Sequence, residues 1–241
     1  MKIVLIGYGK MGKAIEKIAI QRGHEIVYKS NSSNSINDFD MSNCDVAIEF
    51  TRPDLAISHI NHCLNHNTPI VVGTTAWLDK LSDIESQVSQ ANGSLLYASN
   101  FSVGVNIFFE LNKKLASLMS NHKDYSTQLD EIHHLEKLDA PSGTAIHLAN
   151  DLIENHQEYK SWILGEGEKP QNKINEIPIT SFRESGVPGT HSVQYVSDID
   201  SISIKHEAHN REGFALGAVL AAEWLPNKKG VFTMSNVLNI N

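Results

Sequence analysis

The sequence predicts an α/β protein in two parts: an N-terminal domain built on a parallel sheet, and a smaller α+β domain with an open mixed sheet. Three observations carry this. Over the first hundred residues, short apolar runs alternate with stretches of helical periodicity, the pattern of successive βαβ units. Beyond residue 100 the pattern changes to longer β-like runs around isolated helices. The length, 241 residues with 41% hydrophobic and 20% charged, suits one large or two modest globular domains.

The elements follow in order. Lys2 to Ile6 is an apolar run, read as a buried parallel strand. Residues 10–21 place Met11, Ile15, Ile18 and Ala19 at helical spacing, and a second strand spans Glu25 to Tyr28. The Ser- and Asn-rich stretch Ser30 to Asn37 reads as a mobile loop. Cys44 to Phe50 is a third strand, and Pro53 suits the first turn of the helix after it. Pro69 to Val72 is a fourth strand, ending at Gly73-Thr74-Thr75. Leu78, Leu81, Ile84 and Val88 mark a helix, and Leu95 to Ala98 a fifth strand.

After this come a long helix over Gly104 to Met119, an alternating strand over Tyr125 to His133 and a helix over 144–154. Residues 165–176 read as a polar loop, and β-like runs lie near 177–182, 190–196 and 201–206. Phe214 to Leu225 is a further helix and Gly230 to Leu238 a short terminal strand. The expected division is an N-terminal domain over 1–103, completed by about 213–241, and a second domain over 104–212.

Composition excludes several functions. The net charge is −8, and no run of lysine and arginine is long enough to track a phosphate backbone, so nucleic acid is not expected. Cys44 and Cys63 alone make neither a disulfide framework nor a four-thiolate metal site. The N-terminal apolar run is too short for a signal peptide, and no stretch approaches the roughly 18 apolar residues of a membrane span. A reducing cytoplasm is the expected location.

Gly7-Tyr8-Gly9-Lys10-Met11-Gly12 fits G-x-G-x-x-G, follows an apolar strand and opens a helix, the context that makes the pattern a dinucleotide fingerprint. About 20 residues on, where an acid usually meets the ribose 2′-hydroxyl, stand Lys29 and Ser30, with no Asp or Glu until Asp38. A lysine there permits a 2′-phosphate, hence NADPH as well as NADH, although a solvated lysine explains it equally well. Gly73, Thr74 and Thr75, and Ala98, Ser99, Asn100 and Phe101, fall at the C-terminal ends of predicted strands, where open α/β sheets bind ligands.

The richest segment runs from Glu131 to Thr144. His133, His134 and Lys137 put three proton carriers in five residues, and Asp139-Ala140-Pro141-Ser142-Gly143-Thr144 then looks like a helix start. Ser142 is placed to cap that helix, and Gly143 and Thr144 to offer backbone amides and a hydroxyl to a carboxylate. His133 and His134 point to opposite sides of a strand and no third ligand stands at zinc-like spacing, so no metal site is expected. Arg183 to His191 and His206 to Arg211 fit substrate contacts and surface loops equally, and spacing assigns them no role.

Together these segments resemble the 4-hydroxy-tetrahydrodipicolinate reductase (dihydrodipicolinate reductase) family over essentially the whole chain. The resemblance runs from Gly7–Gly12 through Glu49-Phe50-Thr51, Gly73-Thr74-Thr75 and Ser99 to Asn106 to the His-His-x-x-Lys-x-Asp-Ala-Pro-Ser-Gly-Thr-Ala block at 133–145 and the Arg183–His191 loop. The 133–145 block is specific to that family; the glycine fingerprint is not. The resemblance implies a Rossmann-type domain completed by the chain's end, a central substrate domain that also builds a homotetramer, and a role in lysine biosynthesis through diaminopimelate. It implies NAD(P)H-dependent reduction of a cyclic dicarboxylate to tetrahydrodipicolinate, with loss of the 4-hydroxyl as water.

By the same resemblance His133 is the proton donor/acceptor, Lys137 a second proton donor, and His134, Gly143 and Thr144 bind substrate. Gly7, Tyr8, Gly9, Lys10, Met11 and Gly12, with Gly73–Thr75 and Ala98–Phe101, contact the cofactor. The residue chemistry agrees: charge left on an enamine-like intermediate wants a nearby cation and then a proton. It leaves open which of His133 and Lys137 delivers that proton. Two departures from the family stand out. Ala76 replaces the glycine common after Gly-Thr-Thr, and Lys29-Ser30 replaces the usual acid or acid–arginine pair. A non-catalytic dinucleotide sensor and an amino-acid dehydrogenase are the competing classes; the His133/Lys137 pair has no use in the first, and the second would turn over simple amino or keto acids.

Overall fold

The structure is a computed structural model and describes residues 1–170, 175–210 and 212–240. In chain order its regular elements are β1 (Lys2–Ile6), α1 (Lys10–Gln21), β2 (Glu25–Ser30), β3 (Val46–Glu49), α2 (Pro53–Asn65), β4 (Ile70–Val72), α3 (Leu81–Gln90), β5 (Ser94–Tyr97), α4 (Val103–Met119), β6 (Ser126–His133), α5 (Gly143–Asn155), β7 (Ser161–Glu166), β8 (Glu176–Arg183), β9 (Gly189–Val196), β10 (Ser201–Ala208), α6 (Glu212–Trp224), β11 (Gly230–Phe232) and α7 (Met234–Leu238). They fall into two compact units, Met1–Val103 with Glu212–Asn241, and Gly104–Arg211.

In the first unit six strands pair in parallel in the order β11-β5-β4-β3-β1-β2. A strand covered on both faces must be apolar on both, and Ile3, Val4, Leu5 and Ile6 are each at most 1% exposed. At about 1.5–3 kcal/mol for each buried aliphatic side chain, β1 anchors the unit. Ile3 and Leu5 pack with Ile15 and Ala19 of α1 and Ala218 and Ala222 of α6. Val4 and Ile6 face the other way, onto Ile60 of α2 and Ile84 and Val88 of α3. All the crossovers therefore leave the C-terminal ends of β1, β3, β4 and β5 along one edge of the sheet.

In the second unit the order is β10-β9-β6-β8-β7, with β6–β8 and β8–β7 parallel and β6–β9 and β9–β10 antiparallel, a mixed sheet. Alternation along β6 sends Thr127, Leu129, Glu131 and His133 inward, and Leu129 joins a core with Phe108 and Phe109 of α4 and Leu148 and Leu152 of α5. The opposite face of this sheet, with Gln128, Asp130, Gln194 and Ser203, is only partly covered.

Several expectations need correction. Gly165 and Glu166, assigned to a loop over 165–176, belong to β7; it is a half-buried edge strand with a glycine inside it, so it lacks a clean alternation. Residues 171–174 of that expected loop lie outside the described residues. The terminal strand stops at Phe232, and Met234–Leu238 is a helix whose start is held by Asn236, its Oδ1 accepting from the Thr233 N–H at 2.8 Å. Ser30–Asn37 is a hydrogen-bonded turn: Asn31 and Asn34 exchange backbone bonds of 2.9 and 3.2 Å, and the Tyr28 hydroxyl donates to Asn34 Oδ1 and to the Ser35 carbonyl. Ala76, which stands where the family commonly has glycine, sits at φ 62°, in the left-handed region that favours glycine.

Candidate active site

The nucleotide end is built by turns at the C-terminal strand edge. Gly7 has φ +97°, and a Cβ there would stand 2.1 Å from the Phe50 carbonyl oxygen; a Cβ on Gly12 would stand 2.4 Å from the Gly7 oxygen. A Cβ on Gly9 would meet nothing within 4 Å. The middle glycine thus opens onto space, and no side chain among the described residues caps α1, so its first-turn N–H groups face outward for an anion. These features fit a dinucleotide pyrophosphate. Lys10 is exposed beside them, while Tyr8 and Met11 lean on the core.

The neighbouring turns are tied together. Thr51 N donates to Thr74 Oγ1 at 2.7 Å, and the Phe50 ring fills the space a Cβ on Gly73 would need. Phe101 is buried with its ring 5.6 Å from Phe50, and Asn100 Oδ1 accepts from Ser102 N at 2.9 Å. Thr75, Ala98 and Ser99 lie on the same edge with some exposure. The structure therefore gathers Gly7–Gly12, Gly73–Thr75 and Ala98–Phe101 at one edge. Below them lies Glu49, fully buried: it accepts from Thr51 Oγ1, sits 3.4 Å from His59 Nδ1, and its Oε2 has no hydrogen-bond partner among the described residues.

Lys29 is not the solitary cation the sequence presents. Its Nζ pairs with Glu16 Oε1 from α1 and lies 4.8 Å from the centre of the Tyr8 ring, while the Tyr8 hydroxyl donates to the other Glu16 oxygen. The Lys29 and Tyr8 hydrogen bonds hold the Glu16 carboxyl below its usual range, and Glu16 in turn raises Lys29 and Tyr8. The acid missing from the end of β2 is supplied by α1. Ser30 is buried, and its carbonyl accepts from Gly7 N at 3.1 Å, tying the end of β2 to the glycine turn.

In the second unit the chemistry centres on Glu131, which is 0% exposed. Both of its oxygens lie 3.1 Å from Ser142 N, and Oε1 also accepts from Ser181 Oγ at 2.7 Å and from Arg183 Nη1 at 3.5 Å. Oε2 lies 3.3 Å from His133 Nδ1 and 3.7 Å from His191 Nε2. Burial alone would push this carboxyl up; bonds from His133, His191, Ser142 and Ser181 overcome it and hold Glu131 far below the usual range, as an anion. Burial lowers His191, against the pull of Glu131.

Ser142 caps α5: its Oγ accepts from Ala145 N at 3.2 Å and contacts His191 Nε2 at 2.9 Å. A Cβ on Gly143 would meet nothing within 4 Å, so the start of α5 is open, with the half-buried Thr144 next to it. Lys137 Nζ is held by both oxygens of Asp139 at 2.8 Å, and His134 Nδ1 contacts Glu136 Oε2 at 3.0 Å. Arg183 pins the intervening loop, donating to the carbonyls of Lys137 at 3.3 Å and Asp139 at 2.7 Å. Loop and helix start thus share one set of anchors. Glu131, Ser181, Arg183 and His191 carry this arrangement, and the sequence reading assigned none of them a role.

Against the expectation of no third metal ligand, the fold brings Glu131, His133 and His191 together, with one ligand atom from each within 4.8 Å of the others. The Glu131 oxygens already accept from Ser142 and Ser181, while the buried Nδ1 atoms of His133 and His191 have no hydrogen-bond partner of normal geometry among the described residues.

Known proteins place this architecture. The family models described as dihydrodipicolinate reductase, N-terminus, and dihydrodipicolinate reductase, C-terminus, match residues 1–101 and 104–238. A 4-hydroxy-tetrahydrodipicolinate reductase of Christiangramia forsetii is 49% identical, the alignment covering 99% of this chain and 98% of the relative. One from Rickettsia canadensis is 36% identical over 96% and 95% of the two chains. The structure of a dipicolinate-bound dihydrodipicolinate reductase from Paenisporosarcina sp. TG-14 shares the fold at a TM-score of 0.75, with 23% identity and 97% of each chain covered. With its glycine turn, its capped helix start and both halves of its length matched, this chain belongs to the dihydrodipicolinate reductase family.

Proposed function

We propose that this protein reduces 4-hydroxy-tetrahydrodipicolinate to tetrahydrodipicolinate with NAD(P)H, releasing water, in the diaminopimelate route to lysine. The observation that carries the residue assignment is the shared anchoring of a proton carrier and an anion site: Glu131 holds His133 and, through Ser142, the open start of α5. When bound, the reduced nicotinamide supplies hydride. Gly7–Gly12 hold its pyrophosphate by backbone N–H groups, with Gly73–Thr75 and Ala98–Phe101 lining the neighbouring edge.

On this reading the amides of Gly143 and Thr144 and the Thr144 hydroxyl take one substrate carboxylate, and His134 contacts the substrate. Lys137 supplies positive charge where negative charge develops and His133 carries the proton. Asp139 holds the Lys137 ammonium in place until a substrate carboxylate competes for it. The test is a coupled assay in which a synthase makes the unstable substrate from pyruvate and aspartate semialdehyde. Cofactor oxidation only with the synthase present supports the reading. Oxidation with simple keto acids, or none by protein that binds NADPH, rejects it.

The partly covered sheet face of the second unit, and Ile107, Leu111 and Leu118 exposed along α4, fit burial between subunits, here a homotetramer. A monomer mass by light scattering would reject that. Among the described residues no helix is long and apolar enough to cross a membrane. A cytoplasmic location follows from the proposed chemistry.

A further inference from the structure

One cluster in the second unit is buried and bonded beyond what packing needs. We infer that Glu131 is a positioning residue for the reduction: one buried carboxylate fixes the tautomer and aim of His133 and, through Ser142, the geometry of the substrate-carboxylate site. This deepens the proposed function and rests on it.

The argument is geometric. Taking a carboxylate out of water is costly unless it is paired and hydrogen-bonded. Glu131 is 0% exposed and meets that cost with groups from every element around it: Ser181 and Arg183 of β8, His191 of β9, the Ser142 amide at the start of α5 and His133 on its own strand. The remaining charged groups nearby, Lys137 and Asp139, pair with each other in the loop after β6. With the carboxylate 3.3 Å from Nδ1, a proton on that nitrogen of His133 has its counter-charge, and Nε2 is left as the working atom. The space beyond Nε2 is kept by Gly189, where a Cβ would stand 3.1 Å from that nitrogen. An imidazole with one nitrogen beside an anion and the other against a residue without a side chain is arranged to pass a proton in one direction.

The same carboxylate receives Ser142 N–H through both oxygens, one residue before Gly143. Any movement of Glu131 therefore moves the proton carrier and the anion site together. A residue that only filled space would not need to be ionised.

The experiment measures kcat, KM and NADPH affinity against pH for Glu131→Gln, Glu131→Asp and Ser181→Ala. Glu131→Gln keeps the shape and removes the charge. It is expected to lower kcat by about a hundredfold or more while the NADPH Kd, read in the other unit, stays the same. A protonated imidazole loses its counter-charge in this variant, so the alkaline limb of log kcat moves to lower pH. Glu131→Asp keeps the charge but withdraws it by one methylene, so kcat falls with the limb in place. Ser181→Ala removes a donor from Oε1, strengthens the carboxylate's pull on His133 and moves the limb the opposite way, to higher pH.

Displacements of opposite sign in Glu131→Gln and Ser181→Ala establish the role. Glu131→Gln within about threefold of wild type at every pH overturns it, and so do displacements of the same sign. If Glu131→Gln does not fold, Ser181→Ala decides alone: an unmoved limb assigns Glu131 to packing. Wild-type protein that leaves the substrate unreduced rejects the proposed function itself, a separate outcome.

Discussion

The Tyr8–Glu16–Lys29 cluster predicts how this chain chooses between NADPH and NADH. The perturbation is Glu16→Gln, which keeps volume and removes one negative charge. Lys29 Nζ is already paired with Glu16 and stacked over Tyr8, so a ribose 2′-phosphate must share that cation with a resident carboxylate. A phosphate oxygen bonded to the far side of Nζ would lie about 6 Å from the Glu16 oxygens. With the two side chains 40% and 18% exposed, an effective dielectric between about 40 and 80 applies. Each pair of unit charges at that distance then repels by about 0.7–1.4 kcal/mol, and a phosphate of charge near −2 doubles this. Removing Glu16 should therefore tighten NADPH by about 10- to 100-fold and change NADH by less than about threefold. The assay is titration calorimetry with both cofactors at low and at raised ionic strength. The NADPH gain should shrink with salt, since exposed charges are screened over about 10 Å at 0.1 M. Lys29→Glu should do the reverse, weakening NADPH well beyond NADH. If Glu16→Gln tightens both cofactors alike, or neither, the cluster does not face the 2′ position and the reasoning fails.

Three further outcomes are expected. Lys137→Ala should cut kcat by about 10²–10⁴-fold while NADPH still binds; near-normal turnover would remove Lys137 from the reaction. Ala76→Gly relieves a left-handed alanine on an exposed turn and should raise stability by about 1 kcal/mol, read as a higher urea midpoint; an unchanged or lower midpoint would show that the turn carries no strain. Asp151, 5% exposed on α5, is pushed up to about 7 by burial, with Lys113 opposing and Glu154 and Glu110 adding to the shift. An acid with a raised folded pKa is stabilising relative to its ionised form below 3.8, and that advantage is lost as pH rises to about 7. At roughly 1.4 kcal/mol per unit, Asp151→Asn should gain up to about 4 kcal/mol over wild type at pH 8 and almost nothing at pH 4; a gain independent of pH would contradict the assignment.

How much of this could be read from the chain depends on whether the signal was local. Alternating apolar runs and helices gave the parallel sheet, because βαβ units write their periods side by side in sequence. The glycine turn was legible from its context, as was the Ser142 cap, because a cap and the amide it accepts from are three residues apart. β7 was not, being an edge strand with a glycine inside it, and α7 was hidden within an apolar run that also suits a strand. Glu16 was missed because the fingerprint directs attention along the chain to the end of β2, whereas the acid arrives across space from α1.

The Glu131 network shows the same limit most sharply, since half of it is periodic and half is register. Glu131 and His133 are two apart on a strand, so their common face follows from the period of two alone. The rest depends on which residues β8 and β9 bring alongside. In the observed register Glu131 lies opposite Ser181 on one side and His191 on the other, and His133 lies opposite Arg183. A slip of one residue in either neighbour would turn those side chains to the other face and leave a buried carboxylate without its donors. That penalty is itself a constraint: a carboxylate this buried can be kept only if the register is right. The network that orients the proton carrier therefore also helps select the strand pairing. On this view Glu131→Leu, which leaves Ser142 N–H and Ser181 Oγ without an acceptor, should lower the urea midpoint more than Glu131→Gln, whose amide oxygen still accepts, although both lose the charge that orients His133; equal midpoints would refute the link between the network and the register.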